Sequence, residues 1–184
     1  MRTKALTLAA ALALALATPA AASVLIMGSG LAPDCSKAAF AGRADRESIL
    51  LCSRALDEEG MARRDRAGTF VNRGVMLMRG RDYDAARADF DKAIALDPTL
   101  GEAFVNRGVS LMAGKDYAGA LAQIEQGLAL GVDEPAKAYY NRALVQESLG
   151  DAAAAWRDYT RAQELAPDWP LPAKQLTRFT VSRP

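Results

Sequence analysis

Apolar and small residues recur at steps of three and four along two neighbouring stretches: Phe70, Gly74 and Leu77, then Tyr83, Ala86, Phe90 and Ala93. Each run marks one face of a helix. A break at Gly80-Arg81 separates the runs, and Pro98 follows the second where a helix cannot easily continue. The pattern predicts two antiparallel helices, and it then repeats. Phe70-Val71-Asn72-Arg73-Gly74 returns 34 residues later as Phe104-Val105-Asn106-Arg107-Gly108, and 35 residues further on as Tyr139-Tyr140-Asn141-Arg142-Ala143. The second halves align as well: Arg81-Asp82-Tyr83 with Lys115-Asp116-Tyr117 and Gly150-Asp151-Ala152, and Phe90 with Ile124 and Tyr159. A fixed period of this size predicts stacked helical hairpins. Gly74, Gly108 and Ala143 on the first helices, with Ala86, Ala120 and Ala155 on the second, offer small surfaces where two helices approach closely.

These three in-phase copies resemble the tetratricopeptide repeat family, in a variant whose first helix reads Asn-Arg-Gly. The resemblance covers 67–100, 101–134 and 136–169, with Ala143 for glycine, Val132 where proline is expected, and an added residue around Pro135 that lengthens one loop. It implies an all-α fold: a right-handed solenoid of antiparallel helix pairs with three full repeats, a divergent N-terminal hairpin over 35–66 and a C-terminal cap and tail over 170–184. Leu51-Cys52-Ser53-Arg54-Ala55-Leu56 reads as the second helix of the divergent hairpin, lengthened by about one turn through Arg66. Residues 23–34 are then a linker. If Cys52 takes the place of Phe90, Cys35 falls at the place of Arg73, and the two face each other across one hairpin. Leu176 and Phe179, after Trp169-Pro170-Leu171-Pro172, are placed to cover the last hairpin, since a solenoid core needs its end hidden.

The N-terminus alters the picture of where the protein acts. Arg2 and Lys4 precede an apolar run over 5–17, Pro19 breaks it, and Ala20 and Ala22 suit cleavage before Ser23. Residues 1–22 therefore read as an export signal and the protein as periplasmic. Val24-Leu25-Ile26-Met27 extends the run to about residue 27, which leaves an uncleaved anchor facing the periplasm as the alternative. In an oxidising compartment the two cysteines, Cys35 and Cys52, are expected to pair, with free thiols or a redox role as the alternatives. Without any histidine a zinc site has little to draw on, and neither a metal nor a cofactor is expected. Lys and Arg number 23 against 22 Asp and Glu, a balance that argues against nucleic-acid binding.

No enzyme constellation emerges. Histidine is absent, no glycine-rich phosphate loop is present, and Asp89 and Asp91 lie two apart on a helix, facing different ways. Arg73, Arg107 and Arg142 recur in register; either they form a basic ladder, or Asp89 and Asp158 pair with the first and last, Gln123 leaving Arg107 unexplained. The family resemblance implies that the first helices line a concave face for extended peptides or helices. That face comprises Val71, Asn72, Val75 and Met78; Val105, Asn106, Val109 and Met112; and Tyr140, Asn141 and Leu144. The asparagines suit a ligand backbone, which carries a donor and an acceptor at every residue. Some relatives grip a terminal carboxylate there, but only Asn106 and Lys137 match that pattern, and Val71 and Val75 stand at two of its polar places. The expectation is an envelope-side module that binds a protein or peptide partner through an apolar groove, Tyr140 being its best single contact. Coverage of the groove by the chain's own ends is the competing reading. A structural or regulatory accessory domain acting by self-association is the runner-up function, and an enzyme of unknown chemistry comes third.

Overall fold

Asp45, Asp82, Asp116 and Asp151 each begin the second helix of a pair, the side chain accepting the backbone N–H three residues on at 2.8–3.2 Å. This cap recurs in all four helical hairpins among the described residues. The computed structural model describes residues 6–8 and 19–181. Arg2, Lys4 and most of the apolar run over 5–17 lie outside the described residues, so the export signal is not described. Among the described residues no helix is long and apolar enough to cross a membrane.

The chain divides into two compact units. One, Ala21–Asp133, holds three hairpins: α1 (Leu31–Phe40) with α2 (Arg46–Glu58), α3 (Arg63–Arg79) with α4 (Tyr83–Leu96), and α5 (Gly101–Ala113) with α6 (Tyr117–Leu130). The other takes the chain up to Ala20 and from Glu134 onward. It holds α7 (Pro135–Ser148) with α8 (Ala152–Leu165), the short α9 (Pro170–Leu176), and an antiparallel pair of strands, β1 (Leu6–Leu8) and β2 (Phe179–Val181), with Leu6 opposite Val181. The fold is an all-α solenoid of helix pairs, with one small sheet among the described residues as an addition.

Within each pair the small residues sit at the helix crossing. A Cβ on Gly74 would lie 2.5 Å from the Phe90 ring, and one on Gly108 would lie 2.8 Å from the carbonyl oxygen of Ala120. The turn between the helices places Arg81 and Lys115 in the left-handed region, with φ of 67° and 61°; the third repeat has Gly150 there. Arg73 pairs with Asp89 at 2.7 Å and Arg142 with Asp158 at 2.6 Å, each across its own hairpin. Arg107, whose hairpin has Gln123 in place of the acid, reaches instead to Asp91 of the preceding helix at 2.7 Å. All three arginines are thus in ion pairs rather than forming a basic ladder.

The N-terminal hairpin departs from the sequence expectation at both ends. Its first helix starts at Leu31, inside the stretch read as a linker over 23–34. Its second stops at Glu58 instead of continuing through Arg66, which belongs to α3. The physical reason is Glu59, whose carboxylate accepts the N–H groups of Leu31 and Ala32 at 2.6 and 2.9 Å and so caps α1 from outside. Cys35 and Cys52 form a disulfide between α1 and α2, with a Cα separation of 4.9 Å. Both sulfurs are buried beside Met76. Closing a loop of this length contributes about 3 kcal/mol in the chain-entropy account. Reduction is therefore expected to lower the urea midpoint, and an intact mass two hydrogens higher under reductant is the measurement that ties the shift to this bond.

A first-helix face that brackets an extended segment

Residues 19–27 form no helix or turn. In the larger unit, Val24 donates its N–H to Asn72 Oδ1 at 2.8 Å, and Asn72 Nδ2 donates to the Val24 carbonyl at 2.7 Å. Ala22 makes the same two bonds with Asn106, at 3.2 and 2.6 Å. In the smaller unit Ala20 makes them with Asn141, at 2.8 and 2.7 Å. Each asparagine, completely buried, thus satisfies both backbone groups of one residue, and the partners step by two along the segment. A step of two is the repeat of an extended chain, and over its last three residues burial alternates too: Ile26 is buried while Leu25 and Met27 are exposed.

Ser36 on α1 continues the arrangement. Its hydroxyl donates to the Val24 carbonyl at 2.9 Å and accepts the Ile26 N–H at 3.1 Å. Gly68 on α3 admits the side chains, since a Cβ there would lie 2.8 Å from a Val24 methyl and 3.5 Å from Ile26 Cδ1. Neither Ser36 nor Gly68 stands among the sequence-predicted site residues. Coverage by the chain's own ends was the competing reading of the groove, but this particular segment was not named for it; its one signal was the apolar run Val24–Met27 beyond the expected cleavage point, which needs burial somewhere.

The apolar positions predicted to line an open groove are closed over. Val71, Val75, Met78 and Val109 belong to one buried cluster, with Ala21 and Val24 packed against it. Leu144 is buried and Met112 half-buried. Val105 and Tyr140 point elsewhere than expected. A Val105 methyl lies 2.6 Å from where a Cβ on Gly127 would stand, which places it in the α5–α6 crossing. The Tyr140 ring packs edge-on to Tyr159 at 5.4 Å and tilted against Trp169 at 5.0 Å, and its hydroxyl accepts from Gln175. Tyr140 is therefore a core residue of the C-terminal cap, and its burial raises the hydroxyl's pKa.

That cap contains a polar cluster the sequence reading did not find. Glu147 on α7, its side chain fully buried, receives Arg178 at 2.6 Å and the Tyr159 hydroxyl at 2.5 Å. Arg178 also donates to Gln175. Desolvation, with the adjacent Glu147 carboxylate, drives the Tyr159 pKa far upward, so the hydroxyl remains a donor. Phe179 closes the cluster from outside, 5.9 Å from the Tyr159 ring. Among the described residues no group of three or more acids and cysteines is placed to hold a metal.

The sequence model described as tetratricopeptide repeat matches residues 72–135 and 105–170, together more than half of the chain. No curated protein matches. Among solved structures, the first TPR domain of the human RPAP3 protein is 25% identical, covering 61% of this chain and 87% of that one, with a TM-score of 0.57. A structure described as the first TPR of Spaghetti (RPAP3) bound to the HSP90 peptide SRMEEVD is 24% identical, covering 62% and 90%, with a TM-score of 0.58. The crystal structure of MamA is 20% identical and covers 82% of each chain, with a TM-score of 0.61.

Proposed function

Because the chain belongs to the tetratricopeptide repeat family, we propose that it is a protein- or peptide-binding module whose first helices take an extended segment through its backbone, and that it works on the envelope side. The observation that carries this reading is the set of asparagine brackets at Asn72, Asn106 and Asn141, each matching the donor and acceptor of one residue. Such a grip draws affinity from two hydrogen bonds per bracket, about 1 kcal/mol net for each bond, and from apolar burial around them. The similar structure described with an HSP90 peptide supports a peptide partner in general terms. A terminal-carboxylate grip of the kind expected from lysine-rich relatives is not favoured here, because Val71 and Val75 are buried among apolar neighbours. The signal-like pattern expected over residues 1–22 and the paired cysteines support envelope-side action.

The test is capture from an envelope extract by the exported protein and by its Asn106→Ala, Asn141→Ala variant, with melting curves for both. Partners held by the first and lost by a still-folded second are the expected result. Equal capture by both would remove the asparagines from the binding site.

A further inference from the structure

The bond expected to be cut on export, Ala22–Ser23, lies within the bracketed segment, and its two residues are only 2% and 5% exposed. A protease must draw several residues of extended chain into its own cleft, and this stretch is already bound on its backbone side by Asn72 and Asn106. The folded chain therefore shields the bond. A cut there removes Ala20 and Ala22, the complete partners of Asn141 and Asn106. It leaves Val24 and Ile26, which keep Asn72, Ser36 and the space over Gly68. Two brackets are vacated and one stays filled.

We propose that cutting between Ala22 and Ser23 before the chain folds vacates the Asn106 bracket of the larger unit, and that this bracket then accepts an extended segment of another protein carrying a small side chain where Ala22 stood. This rests on the peptide-binding reading given above. The uncut chain is its own ligand. Its segment also states the ligand's chemistry: Asn106 reads backbone alone, and the sealed surroundings of Ala22 admit alanine, glycine or serine. Because the bond is hidden after folding, cut and uncut chains do not interconvert, and the state of the face is set once, at export.

The experiment compares the full chain made in the cytoplasm, the same chain exported and purified from the envelope, and a cytoplasmic full chain carrying Ala20→Pro and Ala22→Pro. Proline has no N–H to give Asn141 or Asn106, so these substitutions release the segment without a cut. The probe is a dye-labelled, C-terminally amidated peptide of residues 16–22 (LATPAAA), followed by fluorescence anisotropy, with the N-terminus of each protein read by intact mass. The expected result is a start at Ser23 for the exported protein, and binding of the probe by the exported and proline forms at least tenfold tighter than by the uncut chain. Asn106→Ala in the exported form is expected to lose that tenfold. An exported protein that keeps residues 1–22, or a probe that binds cut and uncut chains alike, overturns the proposal. If the exported form ignores this probe but binds other extended peptides through Asn106, the inferred ligand falls while the peptide-binding reading stands. If neither it nor the proline form binds any extended peptide, both fall.

Discussion

Replacing Gly101 by alanine is expected to lower folding stability by about 3 kcal/mol, the upper end of what overpacking costs. An added Cβ would stand 2.1 Å from the carbonyl oxygen of Gly131 and 2.7 Å from that of Gly127, both backbone atoms that cannot rotate away. Relief requires moving the start of α5 against the end of α6. Gly127 faces the same crossing from the other side, its own Cβ position lying 2.6 Å from the Gly101 oxygen. Gly114→Ala is the control, because the nearest atom there, the Leu111 oxygen, is 3.6 Å away, an ordinary contact. Urea midpoints for the two variants are the measurement. Equal midpoints would mean that α5 and α6 do not cross where described.

The second large effect is expected at Arg178. Its removal by Arg178→Met leaves the Glu147 carboxylate buried with one neutral donor, Tyr159, and breaking a buried pair from one side costs about 3–5 kcal/mol. Adding Glu147→Gln to Arg178→Met removes the stranded charge and is expected to recover more than half of that loss. The pair thus contributes to holding the C-terminal cap in place more than to net stability. Thermal melts of the two variants decide the matter: a double variant as unstable as the single one would show that packing by the arginine stem, not the charge, matters.

The helices were legible because their causes are local and recur: the three-and-four spacing and the small residues at the crossings appear once per repeat. The pairing of Cys35 with Cys52 was legible for the same reason, through equivalence to positions in the complete repeats. The direction of single side chains was harder to read. Val105 and Tyr140 each precede a bracketing asparagine, and one residue turns a helix by about 100°, enough to carry a side chain from the exposed face into the crossing. The Glu147–Arg178 pair joins residues 31 apart in no repeated relation, so no period announces it. The segment over 20–26 was hidden by its composition. A continuous apolar run after a signal-like stretch reads as membrane-directed, and nothing in it marks the asparagines, 48 to 121 residues away, that hold it.

Asn72 and Asn106 stand one repeat apart, and the residues they hold stand two apart. A strand shifted by two residues presents the same N–H and C=O groups to the same amides, whereas a shift of one turns its side chains to the opposite side. The grip is therefore degenerate under even translations and indifferent to sequence, and hydrogen bonding alone does not choose among them. What breaks the degeneracy is bulk: Val24 fits over Gly68, and alanine lies over Asn106. Selectivity in this unit resides in the distance from one branched residue to one small residue, and strands that share that interval are interchangeable whatever else they contain.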